Sequence, residues 1–593
     1  MKKRILLICA CVLALLLAGC SSQTTATAGS ASAGAVSGSV TATITLSGDT
    51  ASCDSDAVKI SGGTVTITDG GVYAVTGTLN DGMIVIDAGD DDDVELVLNG
   101  ASITSGTSAA IYIRNCDDAA VTLADGSENS LANGGEFVAI DDSNIDAVIF
   151  SREDLTLSGT GSVTIQSPAG HGIVSKDDLI ITDGAYTITA AKHGITAKDD
   201  MDVSGGTFAI TSGKDGIHAE NDEEEDHGNL VITDGSFTIT ADGDGISASG
   251  ALQIDDGTFH IVSGGGADTV TRTDSGFGWQ GQTANTDDVS AKGVKADGAL
   301  TVNGGTFDID AADDGFHSNT DVTVNGGEIT IATGDDGIHA DDATTVTAGT
   351  VSITRSYEGI EGHTVTISGG AITLTASDDG LNAAGGSDAS GTQGFFGGDV
   401  FAADSEACIT ISGGTIYIDA SGDGIDSNGD IRITGGTIYV SGATNDGDSA
   451  LDYDGSASIT GGTILAAGTT GMARSLTAAG SQGVMLVSTG SQAADSTVEL
   501  TNSSGETLVS WQPNKAYTCV VISAPGITSG ETYTLTAGSA STEIAMTSLS
   551  YSDVAGGMMG GMGGQMDGQM PGQMNGGQMG GGPGGMGGQP GRR

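Results

Sequence analysis

A short phrase recurs through the middle of the chain, and its spacing constrains the fold more than any other feature. It reads Ser204-Gly-Gly-Thr-Phe-Ala-Ile, Asn303-Gly-Gly-Thr-Phe-Asp-Ile, Asn325-Gly-Gly-Glu-Ile-Thr-Ile, Ser368-Gly-Gly-Ala-Ile-Thr-Leu, Ser412-Gly-Gly-Thr-Ile-Tyr-Ile and Thr434-Gly-Gly-Thr-Ile-Tyr-Val. The step is commonly 22 residues, from Gly305 to Gly327 to Gly349 and from Gly414 to Gly436. A second phrase, Asp-Gly-Ile or a close relative, follows at His171, His193, Asp215, Asp244, Asp314, Asp336, Glu358, Asp379 and Asp423. A third apolar segment, such as Asp321-Val-Thr-Val or Asp430-Ile-Arg-Ile, leads into the next Gly-Gly. Three short strands with period-two alternation, punctuated by Gly or Asn, make one coil of a β-solenoid. With 99 glycines and no 3.6-residue apolar spacing, a helical repeat is excluded. The expected fold is all-β: a right-handed parallel β-helix of 22 residues per coil with a small C-terminal β cap or domain.

The flanks divide the rest. Lys2, Lys3 and Arg4 precede the apolar run Ile5 to Leu17, which is too short for a membrane span and reads as a signal peptide. It ends in Leu17-Ala18-Gly19-Cys20, a bacterial lipobox, so residues 1–20 are expected to be a lipoprotein leader with Cys20 lipidated. The expected location is the extracellular face of the cell membrane. Residues 21–47 are Ser/Thr/Ala/Gly-rich and read as a flexible linker. Looser strands over 48–150 are expected to be N-terminal coils, and 151–468 the regular repeats. The repeat fades into a C-terminal β region over 469–550, and the Gly/Met/Gln-rich 551–593 cannot build a core. Interruptions at 220–229, 264–288 and 385–405 are expected to be projecting loops, where binding faces are commonly built. Cys53, Cys116, Cys408 and Cys519 lack any C-x-x-C spacing; free thiols or disulfides both remain open.

The formal charge is −58. Nucleic acid and anionic headgroups carry the same sign and are poor partners, so the expected counterpart is a cation. Chemistry concentrates at the Asp-Gly-Ile phrase. If the Ile points inward, the acid two positions earlier sits at the coil corner and the residue after Ile, as in His218, His317, His339, Glu361, Asn382 and Asp426, points outward. Stacked coils then make two columns of ligands about 4.8 Å apart. A hard cation bridging carboxylates relieves their repulsion, and calcium takes six to eight oxygens. The expected calcium ligands are Asp313, Asp314, Asp335, Asp336, Glu358, Glu361, Asp378, Asp379, Asp423 and Asp426, with a second cluster at Asp446, Asp448, Asp452 and Asp454. Each single Asp could instead accept turn N–H bonds. The histidines lack the i, i+4 spacing of a zinc pair and are read as solvated. The run 222–226 is read as a solvated acidic loop.

The lipobox, the Gly-Gly-Thr-[Phe/Ile]-x-Ile and Asp-Asp-Gly-Ile-His coil phrases, the terminal Gly-Gly-Thr-Ile strands and the Gly/Met/Gln tail together resemble the carbohydrate-binding-domain lipoproteins of clostridia-like bacteria. The resemblance implies a polysaccharide-lyase-like β-helix and calcium-dependent binding of polysaccharides, notably acidic pectic ones, without established catalysis. An acidic protein can hold a uronate polymer when calcium stands between the two sets of carboxylates. Aromatic sugar-stacking candidates are Trp279, Tyr357, Phe395 and Phe396, with Trp511 the second of two tryptophans. The enzymatic alternative is a calcium-dependent lyase with a basic side chain as proton acceptor, for which Lys192, Lys198, Lys214, Lys292, Lys295 and Arg355 are candidates without distinguishing context. A structural or adhesive surface protein is the third reading. The oligomeric state is not legible.

Overall fold

The computed structural model describes residues 39–221, 227–270, 290–384 and 404–554. Two compact units divide the chain: residues 1–241 with 247–251, and residues 242–246 with 252–593. Cys20, Trp279, Phe395 and Phe396 lie outside the described residues, as do the acidic run 222–226 and the tail from residue 555. Among the described residues the only helical element is the 3-10 turn Ala267–Thr269.

In the first unit the strands Leu179–Ile181, Ala185–Ala190 and Ile195–Ala197 form one coil. They pair in parallel with Met201–Val203, Thr207–Ser212 and Ile217–Ala219 of the next coil, with Leu179 beside Met201, Ala185 beside Thr207 and Ile195 beside Ile217. The register is therefore the 22-residue step itself. Alternation explains the burial: in Thr207–Ser212 only Phe208, Ile210 and Ser212 turn inward. Tyr186, Phe208 and Phe237 stack face to face inside, at 5.2 and 4.8 Å between ring centroids.

The N-terminal part of this unit departs from the expected short strands. Gly71–Leu79 and Val94–Ser105 run 9 and 12 residues, kinked by a register shift between Val75 and Gly77. Two antiparallel hairpins, Ala42–Gly48 with Thr50–Ser52 and Val58–Ser61 with Thr64–Ile67, begin the parallel stacking, Ala42–Gly48 pairing on to Gly71–Leu79 and Thr64–Ile67 to Met83–Asp87. A hairpin supplies hydrogen bonds that an open first coil would lack, and so covers a sheet edge.

The second unit repeats the plan. Leu300–Val302, Thr306–Ala311 and Phe316–Ser318 pair in parallel with Asp321–Val324, Glu328–Thr333 and Ile338–Ala340. Parallel stacking ends where Tyr517–Ser523 lies antiparallel to Thr463–Gly468 and to Val484–Gln492. A four-stranded antiparallel sheet of Val498–Asn502, Thr507–Trp511, Thr532–Ala537 and Ala540–Ala545 follows. Met485, Val498, Tyr517, Ile522, Tyr533 and Ile544 fill the core beneath it. All four described cysteines are free thiols; burial pushes those of Cys116 and Cys519 up to about 12. The protein is an all-β parallel β-helix.

Candidate functional site: the corner columns

Each coil turns between its second and third strands at the Asp-Gly-Ile phrase, and the two glycine types there serve different needs. The second glycine of Gly-Gly is left-handed, as at Gly327 with φ of +97°. The glycine after the corner acid has ordinary φ but no room: a Cβ on Gly337 would stand 2.5 Å from the carbonyl oxygen of Gly359 in the next coil.

The corner acid has two oxygens with two roles. In the second unit Oδ1 of Asp314 accepts the N–H of Asp336 at 3.0 Å, Oδ1 of Asp336 accepts that of Glu358 at 3.2 Å, and Oδ1 of Asp379 accepts that of Asp423 at 2.5 Å. The corners Asp314, Asp336 and Asp379 are thus each tied to the next, which is the turn-capping role of an Asp, whereas the Glu358 carboxylate accepts from Asn382. The second oxygen remains for a cation. Beside the corners runs the second column, aligned by strand pairing: Lys295 against His317, His317 against His339, Glu361 against Asn382 and Asn382 against Asp426.

This column was expected to be solvated, and here the structure corrects the expectation. His317 and His339 are only 2% and 4% exposed, because the three-residue strand is walled by the corner acids on one side and the next turn on the other. His317 contacts Asp314 through Nδ1 at 2.8 Å and Asn319 through Nε2 at 2.9 Å. His339 meets Asp336 at 3.2 Å, Glu361 at 2.7 Å and Asp341 at 3.3 Å. Burial opposes its charge, yet these three carboxylates outweigh burial and hold the imidazolium far above its usual range.

Charge changes along the column. Lys292, two residues before Val294, occupies the corner position and reaches Asp313 at 2.7 Å and Asp314 at 3.0 Å. Burial opposes ionisation of Asp314, but Lys292 and His317 overcome it and hold the carboxyl well below its usual range. Two coils on, protein cations give out. Among the described residues Glu358, Asp379, Asp423 and Asp426 form no ion pair with Lys, Arg or His. Burial, reinforced by Glu361 and Asp336, raises Glu358 well above its usual range. Burial and the charges of Asp378, Asp423 and Asp426 push Asp379 up to about 9. Burial and Asp426 push Asp423 up to about 8, and burial with Asp452 pushes Asp426 up to about 6. In the same place Asn382, 6% exposed, donates to Glu358 at 2.7 Å while its Oδ1 is buried without a hydrogen-bond partner.

The expected ligands therefore separate into two groups. Asp313, Asp314 and Asp335 bring their oxygens within 4.8 Å of one another, and so do Asp336, His339 and Glu361, but protein cations already serve both sets. Asp378, Asp379, Asp423 and Asp426 share a field with Asp448, Asp452 and Asp454, so much of the second expected cluster joins the first. Asp452 is paired with Arg474 at 3.0 Å, and Asp446 lies exposed on the neighbouring turn. Tyr357 is half-buried beside the Glu358 corner, its N–H donating to the carbonyl of Asp335 at 2.7 Å. Trp511 is not a free platform, since Tyr439 covers it at 5.1 Å and Tyr417 in turn covers Tyr439 at 5.2 Å. Sequence reasoning missed the cations that divide the column. Lys292-Gly-Val is a corner phrase whose first residue is basic, and aligning by the glycine rather than by the acid would have found it.

All of the lyase candidates but Lys214 are occupied. Lys192 faces Asp146 at 3.0 Å, Lys295 faces Asp297 at 3.3 Å, Lys198 holds Glu220, Lys292 lies between two aspartates and Arg355 holds Asp268 at 2.6 Å; Lys214 is exposed.

In the first unit the corner position holds His171, His193 and Asp215; His171 stacks on His193 at 5.1 Å, and His193 on His218 of the outward column at 4.6 Å. Burial lowers His171 and His193, whereas Asp215 and Glu220 overcome burial to raise His218 to about 9. A cleft of about 400 Å³ beside Asp146 and Lys192 is lined by Glu136, Phe137, Val138 and Asn144.

A family model described as carbohydrate-binding domain-containing protein matches residues 61–337 and 335–568. A carbohydrate-binding domain-containing protein of Acetivibrio thermocellus is 38% identical over 152 residues, 25% of this chain and 53% of the relative. The chain thus spans about half the length of that curated relative. The solved structure of the polysaccharide lyase-like protein from C. thermocellum, as its gadolinium derivative, is 33% identical over 44% of this chain and 97% of the other, with a TM-score of 0.38.

Proposed function

The chain belongs to the family of carbohydrate-binding domain-containing proteins, and on that premise we propose that it binds an acidic polysaccharide through calcium held by the cation-free part of the corner column. One observation carries the proposal: Glu358, Asp379, Asp423 and Asp426 stand partly buried, mutually repelling and, among the described residues, in no ion pair with a protein cation, beside an unpartnered Asn382 oxygen. A donor set of carboxylates and an amide oxygen suits a hard divalent ion. Asp379, Asp423 and Asp426 would hold it, with Glu358 and Asn382 beside them. When bound, the ion supplies positive charge on an otherwise acidic face. A uronate polymer brings the carboxylates that such a charge attracts, whereas the bare column repels them. Cys20 would anchor the protein at the outer face of the cell membrane.

Binding without cleavage is favoured over a lyase because every basic candidate except the exposed Lys214, that is Lys192, Lys198, Lys292, Lys295 and Arg355, is tied to carboxylates of the chain itself. Calorimetric titration of the full chain with polygalacturonate, in calcium and then in chelator, tests both readings while absorbance follows unsaturated ends. Calcium-dependent heat without new absorbance is expected. Products would establish a lyase, and no heat in either condition would refute the acidic-polysaccharide proposal.

A further inference from the structure

We propose that His193, Asp215 and His218 of the first unit form a binding site for a borderline-soft transition ion of the zinc class. This site is independent of the calcium proposal, lying in a different unit and using different donors. His193 and Asp215 hold the same corner in successive coils, and His218 begins the outward column one residue after Ile217. The fold therefore converges two imidazoles from adjacent coils on one carboxylate. Their Nδ1 atoms stand 3.2 and 2.8 Å from Oδ2 of Asp215, and one donor atom from each residue lies within 4.8 Å of the others. Donors on a tetrahedral zinc shell stand about 3.3 Å apart, given bonds near 2.0 Å, so small movements would suffice.

Two further features point to an ion rather than to hydrogen bonding alone. Both Nδ1 atoms are buried, and their approach to Asp215 lacks the alignment of a hydrogen bond. The far nitrogen of His218, Nε2, faces Glu220 at 3.3 Å, and Lys198 holds Glu220 in turn. A carboxylate on the far nitrogen fixes the tautomer and turns the near nitrogen into a ligand, an arrangement typical of histidine at a metal. The side chains are 12%, 13% and 16% exposed, enclosed but within reach of solvent.

The second unit supplies the contrast. His317 and His339 also stack, at 5.0 Å, but Nδ1 of His317 goes to Asp314 at 2.8 Å whereas Nδ1 of His339 goes to Glu361 at 2.7 Å and Asp336 at 3.2 Å, so the two rings meet different carboxylates. Two nitrogens with one carboxylate oxygen suit zinc, cobalt or nickel, while calcium prefers an all-oxygen shell.

Cobalt(II) titrated into the chelator-stripped full chain tests the site. One equivalent should give the visible absorption of a four-coordinate ion, displaced by zinc and unaffected by excess calcium. His193→Gln and His218→Gln should each weaken binding at least tenfold, and His260→Gln, a solvent-exposed control, should leave it unchanged. Equal affinity in all three variants, or displacement by calcium, would overturn the proposal. Since a column variant could fail to fold, zinc-edge X-ray absorption of the unaltered chain gives a second test. Two imidazoles in the first shell are expected, and an all-oxygen or sulfur-containing shell refutes the site.

Discussion

At the residue scale, Asp379 shows how the corner position trades stability for charge. Its carboxyl titrates near 3.8 when exposed and is pushed to about 9 in the fold, so the unfolded chain binds fewer protons between those values. In chelator, stability should therefore fall as pH rises from about 4 toward about 9, the reverse of a salt-bridged carboxylate. Asp379→Asn removes that liability and should stabilise the calcium-free protein at pH 8 by about 1–2 kcal/mol, with little effect near pH 4. Urea unfolding at both pH values, in chelator and in calcium, checks this; in calcium the advantage should vanish or reverse. A decrease of stability in the chelated variant would mean that the side chain is held by its N–H bond from Asp423 and not strained by its neighbours.

Individual elements are held by close approach more than by turn conformation. Gly315, Gly337, Gly359 and Gly380 each leave a Cβ only 2.3 to 2.5 Å from a carbonyl oxygen of the following coil, so backbone as well as the adjoining Ile or Leu side chain would have to yield. Gly337→Ala should cost about 2–3 kcal/mol in chemical unfolding, and Thr373→Ser on an exposed strand face under about 0.5 kcal/mol. If the two substitutions prove equal, coil spacing at the corner is softer than its geometry indicates. The same closeness explains why the corner acids interact: strands one coil apart bring like charges together whether or not a cation is present.

At the scale of the whole molecule, a formal charge of −58 sets the conditions under which the fold is stable. Mutual repulsion of exposed carboxylates should lower the melting temperature at low salt, and raising ionic strength from about 0.01 M to about 0.5 M should recover it, since the screening length drops below coil-to-coil distances. Calcium at a few millimolar should stabilise beyond that screening effect if the cation-free column binds it; scanning calorimetry at matched ionic strength separates the two. Equal melting temperatures in calcium and in sodium would leave charge screening as the whole explanation. The second unit also needs its C-terminal strands: Tyr517–Ser523 covers the strand Thr463–Gly468, which would otherwise offer an unpaired edge.

Much of this was legible in the chain alone. A 22-residue step with period-two alternation admits one economical solution, parallel coils stacked in register, because side-chain period and turn glycines are local properties. From that register both columns of polar residues follow, down to the pairing of Glu361 with Asn382 and of Asn382 with Asp426. What only the tertiary structure decided was the state of those residues. Burial of His317 and His339, the neutralisation of Asp314 by Lys292 and the convergence of His193 and His218 on Asp215 depend on distances across coils. Those distances fix desolvation and Coulomb energy, and neither is encoded in spacing along the chain.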